Sequence, residues 1–226
     1  MTRILCLETA TTNCSVALSI DGKVEVIKED NSLSYSHAES LHGFIEEVLN
    51  AANLEKQQLD AIAISKGPGS YTGLRIGVSA AKGLCFALDR PLIAIPTLQS
   101  LASQVSPQND NDIIVPMIDA RRMEVYSAMY DSGGVQLRET QAQVLDEHAF
   151  AKRITKSKVY FIGNGVAKFA AICQHQNAVF VEDKLPSARE MCALAQERFI
   201  AGDFEDLAYF EPYYLKDFIA GTKPKG

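Results

Sequence analysis

The sequence predicts an α/β fold of two similar lobes, because one succession of strands and helices occurs twice along the chain. Each copy opens with three short apolar runs joined by tight turns, as in an antiparallel sheet. The first copy has an Asp21-Gly22 turn, a pair typical of type I′ hairpins, which need positive φ angles. The second copy has a turn at residues 132–134, which read Ser-Gly-Gly. The predicted strands are residues 3–8, 15–20 and 23–27 in the first copy, and 112–119, 123–130 and a strand from Val135 in the second.

Each hairpin is followed by a helix, an apolar strand, a glycine-bearing loop and a second helix. These elements are residues 36–52, 61–65, 67–69 and 71–88 in the first copy, and 147–154, 159–162, 163–165 and 166–173 in the second. A βββαβα unit is thus predicted twice. Residues 106–111 are polar and rich in turn formers. We therefore expect an N-terminal lobe over residues 1–105 and a smaller C-terminal lobe, with a tail, over residues 106–226.

Composition places the chain among folded proteins and argues against a stand-alone nucleic-acid binder. Its 226 residues are 47% hydrophobic and 22% charged, which is ordinary for a globular protein with its own core. There are 22 Lys and Arg residues against 28 Asp and Glu residues, a net charge of −6. Any nucleic acid would therefore have to be held mainly by a partner.

Three features of the sequence predict a cytoplasmic protein. The five cysteines are scattered and form no Cys-x-x-Cys pair, as in proteins of a reducing compartment. The first apolar run is short and contains Glu8, unlike a signal peptide. No apolar segment approaches the roughly 18 residues of a membrane span. We expect no membrane contact.

The two helices of the first copy differ in character. Residues 36–39, Ser-His-Ala-Glu, fit a capping box that begins the first helix. The second helix has only Arg75, Ser79 and Lys82 as clearly polar residues between positions 73 and 88. A helix that is apolar almost all round is covered from more than one side. Either this helix is central in its own lobe, or its second face docks a partner.

The glycine-rich loop before that helix suggests a phosphate cradle, because free N–H groups at a helix start attract anions. The Gly-Lys-Ser/Thr of a Walker A motif is missing, and the glycine spacing is wrong for a dinucleotide fingerprint. We therefore interpret Gly67, Gly69 and Gly73 as residues of a structural turn.

Two further candidate sites have plain structural interpretations. His37 and His42 are five residues apart and point roughly 140° apart on a helix, which argues against a shared zinc ion. Residues 119–124, Asp-Ala-Arg-Arg-Met-Glu, could hold a cation or a triad acid. A charged hairpin turn is the commoner case.

Residues 8–15 form a hydroxyl-rich segment between two predicted strands. This segment resembles the first phosphate loop of the superfamily that contains actin, sugar kinases and heat-shock chaperone ATPases. Together with the doubled unit, the resemblance implies two ribonuclease-H-like (actin-like ATPase) lobes, of which the second is reduced. Nucleotide sites in that superfamily have acidic-x-Gly turns. The corresponding turns here, Glu8-Thr-Ala10 and Asp119-Ala-Arg121, lack the glycine.

Six segments that run in order along the chain narrow the resemblance. They are residues 4–9, 36–39, 67–77, 118–126, 163–165 and 211–215, with Gly-Pro-Gly-Ser-Tyr-Thr-Gly-Leu-Arg and Asp-Ala-Arg-Arg as the most specific runs. Together they resemble the TsaB family of bacterial tRNA threonylcarbamoyladenosine biosynthesis. The resemblance implies a non-catalytic scaffolding and activating subunit that pairs with a catalytic homologue, TsaD, and with the ATPase TsaE. TsaD transfers a threonylcarbamoyl group to the adenosine next to the anticodon of ANN-decoding tRNAs.

The same resemblance implies that this chain alone binds no cofactor, since ATP and a metal ion belong to the partner subunits. The catalytic homologue coordinates its metal through two histidines, and Thr97 and Leu101 occupy those places here. Neither side chain can replace an imidazole ligand. The tRNA is expected to be reached indirectly, through the complex.

Members of this family dock through the first two helices of the N-terminal lobe, in agreement with the second apolar face of residues 73–88. The residues expected at this interface are His37, Ser40, Phe44, Arg75, Ile76, Ser79, Ala80, Gly83 and Phe86. A homodimer could use the same surface when the partner is absent, because an exposed apolar patch tends to be covered.

Two other hypotheses stay open. A minimal ATP- or metal-dependent enzyme, either a phosphotransferase or a glycoprotease-like peptidase, would use Glu8, Asp119 and the Gly67 loop. Direct tRNA contact would use basic and aromatic residues of the tail, although a segment that only covers the lobe is the plainer alternative. The tail residues concerned are Lys216, Lys223, Lys225, Tyr213, Tyr214 and Phe218.

Overall fold

The computed structural model describes residues 1–31 and 37–216, with the backbone alone at residues 37–39. The first half contains β1 (Arg3–Glu8), β2 (Cys14–Ile20), β3 (Lys23–Asp30), α1 (His37–Ala51), a 3-10 turn (Lys56–Gln58), β4 (Ala61–Gly67), α2 (Tyr71–Leu88), β5 (Leu92–Pro96) and α3 (Thr97–Ala102). The second half contains β6 (Ile113–Asp119), β7 (Glu124–Asp131), β8 (Gln136–Val144), α4 (Ala151–Ile154), β9 (Val159–Ile162), α5 (Val166–Ala170), β10 (Ala178–Val181) and α6 (Ala188–Ala201). None of the helices in the described ranges is both long and apolar enough to cross a bilayer.

Both sheets have five strands in the same order, which confirms the predicted duplication and the α/β class. The first sheet runs β3-β2-β1-β4-β5, and the second runs β8-β7-β6-β9-β10. In each, the three hairpin strands are antiparallel and the remaining two are parallel to the central strand. The strands β5 and β10 extend each sheet beyond the predicted βββαβα unit.

The helices agree with the prediction best in the first half. Helix α2 has the predicted bounds, and α1 begins at His37, so Ser36 of the predicted capping box lies outside the described residues. Helix α4 covers only the end of the predicted range 147–154. Phe150 has a φ of +62°, in the left-handed region, and a helix cannot continue through such a residue. Helix α5 ends at Ala170, before the predicted end, and α6 is not predicted from the sequence.

The last helix of each half packs on the sheet of the other half. Helix α6 covers one face of the first sheet, where its buried side chains meet apolar side chains of the strands. The helix residues are Ala188, Met191, Cys192 and Ala195, and the strand residues are Ile4, Cys6, Ala17, Ala61, Ala63, Ile93 and Ile95. Helices α1 and α2 cover the opposite face. Helix α3 packs on the second sheet, with Leu98 and Leu101 beside Ile114 and Ile118. The division of the chain into lobes at residues 105 and 106 stays a prediction, because α3 packs on the second sheet and α6 packs on the first.

Helix α2 approaches the first sheet closely through its small residues. Gly73, Gly77 and Ala81 are buried, and the Thr9 hydroxyl donates a hydrogen bond to the Gly73 carbonyl at 2.8 Å. A Cβ added at Gly77 would overlap the Thr9 hydroxyl and lie 2.9 Å from Ile64 Cδ1. The spacing of small residues on this stripe therefore serves contact with the helix's own sheet.

The two interior glycines of α2 give a matched pair of stability predictions. We expect Gly77→Ala to lower the free energy of unfolding by about 1–3 kcal/mol, because the new methyl group overpacks the contact with Thr9. A Cβ at Gly83 meets no atom within 4 Å, so Gly83→Ala is expected to raise it by about 0.5–1 kcal/mol through helix propensity. Urea unfolding followed by circular dichroism measures both. Changes of the same sign would contradict the assignment of the two helix faces.

Candidate functional site

The outer surface of α2 and the adjoining part of α1 form the first candidate site, which we call the docking face. Its members in α2 are Arg75, Ser79, Gly83 and Phe86, which are exposed, and Ile76 and Ala80, which are half-buried; Ser40 and Phe44 of α1 are also half-buried. The His37 side chain lies outside the described part of the chain. The two helices thus present one continuous surface on the side of α2 that points away from its sheet.

The apolar members of the docking face differ in the solvent exposure of their side chains. Phe86 is 83% exposed, far more than a phenylalanine in a lobe core. Ile76, Ala80 and Phe44 instead pack partly against the core between the sheet and the helices. The outermost apolar surface therefore lies at Phe86, whereas a polar substitution at Ile76 would also disturb the lobe.

Two exposed glycines inside helices α1 and α2 make no packing contact that would require a glycine. A Cβ at Gly43 of α1 or at Gly83 of α2 would stand in open space. Glycine inside a helix costs about 0.5–1 kcal/mol relative to alanine. Gly43 is absent from the residues expected from the sequence, and its only signal there was an unexplained glycine within the predicted helix.

The second candidate site is a cleft of about 710 Å³ between the two sheets. Its walls are the turn after β1, the loop between β4 and α2, the turn between β6 and β7, and the segment 213–216. Tyr214 of that segment lies 4.8 Å from the Tyr71 ring and accepts a hydrogen bond from Arg75 Nε at 3.3 Å. Lys216 forms an ion pair with Glu124. The tail residues Lys223, Lys225 and Phe218 lie outside the described residues.

The glycine loop at the edge of this cleft is filled by its own chain. The Ser70 amide donates to the Ala10 carbonyl at 2.7 Å, and a Cβ at Gly69 would overlap that carbonyl. Gly67 has a φ of +110°, and a Cβ there would lie 2.7 Å from the Tyr213 carbonyl oxygen. The loop is therefore packed against the backbone at Ala10 and at Tyr213. Its geometry is that of a tight turn at the start of α2.

The residues weighed as metal ligands are engaged elsewhere or lie apart. The Thr97 hydroxyl accepts a hydrogen bond from the Gly67 amide at 3.0 Å, and Leu101 is buried against the second sheet. His42 is exposed on α1. Within the described ranges, no three His, Cys, Asp or Glu side chains come together as a metal site would require.

The carboxylate of Asp119 organises the turn that follows β6. Its Oδ1 accepts hydrogen bonds from the Arg121 amide at 2.6 Å and from Lys168 Nζ at 3.1 Å. Lys168 also donates to the carbonyls of Arg122 at 2.9 Å and Glu124 at 2.6 Å. The predicted charged turn is therefore a fixed loop, tied to α5 through one lysine.

Glu8 is fully buried at the end of β1 and does not line the cleft. Its Oε1 accepts hydrogen bonds from the Ala10 amide at 2.6 Å and from the Ser65 hydroxyl at 2.8 Å. Burial raises the pKa of this carboxyl to about 7, and the negative charge of Glu190 on α6 acts in the same direction. A carboxyl without solvent exposure has no direct access to a substrate in the cleft.

The raised pKa of Glu8 predicts how stability depends on pH. The folded protein holds this proton to a higher pH than the unfolded chain, where the pKa is near 4.5. The free energy of unfolding should therefore fall as the pH rises from about 4.5 to about 7, and then level off. Glu8→Gln keeps an acceptor for Ala10 and Ser65, so we expect it to flatten this decline and to be more stable at pH 8 by about 1–3 kcal/mol. If the free energies of unfolding of the variant and the wild type changed with pH in parallel, Glu8 would not be the group responsible for the decline.

Comparisons with known proteins cover nearly the whole chain. Residues 31–223 match the family model described as TsaD: tRNA N6-adenosine threonylcarbamoyltransferase. The chain is 30% identical to the tRNA threonylcarbamoyladenosine biosynthesis protein TsaB of Escherichia coli (strain K12), over 99% of each chain. It is 31% identical to the protein of the same name from Haemophilus influenzae, over 99% of this chain and 97% of that one. The solved structure of YeaZ from Pseudomonas aeruginosa superposes with a TM-score of 0.80 and 29% identity, over 95% of this chain and all of that one. On this evidence the chain belongs to the TsaB family of tRNA threonylcarbamoyladenosine biosynthesis proteins.

Proposed function

We propose that the chain is a non-catalytic scaffolding and activating subunit of the complex that transfers a threonylcarbamoyl group to the adenosine next to the anticodon of ANN-decoding tRNAs. In this proposal it pairs with the TsaD homologue of the same organism, and the ATPase TsaE joins that pair. The names of the full-length relatives support the pathway. The docking face supports the role of a subunit.

The observation that carries the proposal is a pair of exposed glycines, one on α1 and one on α2, together with an almost fully exposed phenylalanine on α2. Gly43 and Gly83 weaken their helices without improving any contact inside the lobe. Glycine allows a partner helix to approach the backbone closely, and burial of Phe86 would contribute about 1.5–3 kcal/mol. We infer that these residues meet the partner, with Arg75 and Ser79 on the rim.

Charged residues lie beside Phe44 of the docking face, since Lys28 Nζ stands 5.7 Å from the centre of its ring. Glu47 on α1 forms an ion pair with Lys28 at 2.7 Å, and Glu46 lies 3.7 Å from Lys56. An apolar centre within a polar rim is the usual arrangement of a protein–protein interface. The same face is proposed to form a homodimer when the partner is absent.

The cofactors of the reaction are assigned to the partner subunits in this proposal. Thr97 and Leu101 offer no ligand for a metal ion, and the glycine loop is packed against Ala10 and Tyr213. The complex is proposed to hold the tRNA and to work in the cytoplasm. The alternative, a minimal ATP- or metal-dependent enzyme, depends on Glu8, which is fully buried, and on Asp119, which is paired with Lys168.

A binding experiment separates the subunit from the enzyme hypothesis. Isolated chain is expected to take up neither ATP, as measured by calorimetry, nor stoichiometric zinc, as measured by metal analysis after dialysis. The reason is the filled loop and the missing imidazoles. One-to-one ATP binding that is lost in Glu8→Gln or Asp119→Asn would favour the enzyme hypothesis instead.

Substitutions on the docking face test the pairing directly. Gly83→Arg and Phe86→Asp place a bulky or charged side chain where the partner helix would lie, and both positions are exposed, so the lobe should stay folded. We expect each to weaken binding to the TsaD homologue at least tenfold, since residues at the centre of an interface dominate its energy. Light scattering behind size exclusion, on the chain alone and on the mixture, measures the loss of a one-to-one complex.

The matched control is Ile200→Asp on α6. Ile200 is an apolar helix residue that is 76% exposed, much like Phe86, but it lies on the helix that covers the opposite face of the sheet. The Ile200→Asp variant should bind the partner with the affinity of the wild type. Equal affinity of all three variants and wild type would rule out this interface.

A further inference from the structure

The turn between β6 and β7 presents two consecutive arginines in an unfavourable backbone conformation. Arg121 has a φ of +67° and Arg122 a φ of +45°. A residue other than glycine in this region costs on the order of 1–3 kcal/mol and persists only where its surroundings enforce it. Here Lys168 enforces it, through its hydrogen bonds to Asp119, Arg122 and Glu124. The chain thus holds both arginines at one fixed place.

The charges of this turn are paired except for the two guanidinium groups. Asp119 is neutralised by Lys168, and Glu124 by Lys216. Arg121 and Arg122 are exposed, and neither guanidinium has a hydrogen bond or an ion pair to any residue in the ranges that the structure describes. An acidic protein therefore carries a local, unpaired positive charge of two at the mouth of its cleft.

The remaining surface of the cleft suits a ligand with phosphate groups and flat rings. Hydroxyl side chains of Thr12, Ser70 and Thr72 stand among the lining residues, together with the rings of Tyr126 and Tyr213. Guanidinium groups bind phosphate oxygens in a bidentate manner. Aromatic side chains stack on unpaired bases of RNA.

The geometry favours a polyanion held at the rim over a free nucleotide held inside. In the glycine loop, where a nucleotide phosphate would bind, the Ser70 amide is already bonded to the Ala10 carbonyl at 2.7 Å. Arg121 and Arg122 lie instead on the exposed turn between β6 and β7, which forms another wall of the cleft. A polyanion such as a nucleic-acid backbone offers a phosphate to each of two neighbouring cations.

We infer that Arg121 and Arg122 contact the phosphate backbone of RNA, so that this subunit touches its tRNA directly while the partner supplies most of the affinity. The identity of the RNA as tRNA rests on the proposed function. The contact differs from the indirect tRNA association that the family resemblance implies. It also accounts for a basic turn on a chain with a net charge of −6.

The test uses the complex of the chain with its TsaD homologue and an unmodified ANN-decoding tRNA. Arg121→Gln/Arg122→Gln removes both charges and leaves the docking face untouched. The matched control, Lys152→Gln/Arg153→Gln, removes two exposed neighbouring charges on α4. Filter binding at several salt concentrations gives the affinity and its salt dependence, and light scattering confirms that each complex has assembled.

We expect the Arg121 and Arg122 variant to bind tRNA about tenfold more weakly at low salt, with unchanged assembly. Its plot of log affinity against log salt should be less steep by about 1.5, the value for two lost phosphate contacts. The control should match wild type. Equal losses in both variants, or none in either, would overturn the inference.

Two further measurements keep this test separate from that of the proposed function. If no complex forms with the homologue, the proposed function fails. The contact is then tested on the chain alone, at low salt and at protein concentrations high enough to replace the missing affinity, and equal binding by the Arg121→Gln/Arg122→Gln variant and wild type would overturn it. The second measurement is calorimetry with ATP and with inorganic phosphate. One-to-one binding of either that depends on Arg121 and Arg122 would identify a small phosphate ligand and overturn the RNA contact.

Discussion

The contact of α2 with the first sheet at Thr9 is the constraint on which the rest of the structure depends. The Thr9 hydroxyl is bonded to the Gly73 carbonyl, and Gly77 lies directly over it without room for a side chain. This contact fixes the rotation of α2 about its own axis. Once the small residues face the sheet, Gly83 and Phe86 must face outward, and the docking face follows from an interaction on the opposite side of the helix.

The same helix connects the docking face to the cleft. Its first residues follow the glycine loop, where the Ser70 hydroxyl caps the helix by accepting from the Gly73 amide at 3.3 Å. Arg75, on the docking face, lies 4.3 Å over the Tyr71 ring and bonds to Tyr214. The segment that contains Tyr214 goes on to Lys216, which pairs with Glu124 in the second half. A partner bound at α2 would therefore touch a chain of contacts that ends at the turn of Arg121 and Arg122.

The acidic residue at the end of the first strand has a different environment in each copy of the duplicated unit. Glu8 and Asp119 both end the first strand of their sheet, and both accept the amide two residues later. Glu8 is sealed beneath α6, so burial raises its pKa, whereas Asp119 is half-exposed and paired with Lys168. Strand alternation accounts for the difference. Glu8 follows Ile4 and Cys6 on the face of β1 that α6 covers, whereas Asp119 follows Val115 and Met117 on the face of β6 that packs against α5. The proposed roles follow the same asymmetry, with partner contacts in the first half and RNA contacts in the second.

Local features of the sequence by themselves determined the two hairpins, the bounds of α2 and the glycine turn, because positive φ angles, apolar periodicity and chain breaks depend on neighbouring residues. The Asp21-Gly22 turn and the residues 71–88 could be predicted for that reason, whereas the docking role of the residues on α1 and α2 stays a prediction. Only the tertiary structure decided which of those residues face outward, that α6 crosses to the first sheet, and that Asp119 and Glu124 are neutralised. Those outcomes depend on Thr9, Lys168 and Lys216, which lie far along the chain from the residues they control, and no local pattern encodes such long-range pairings.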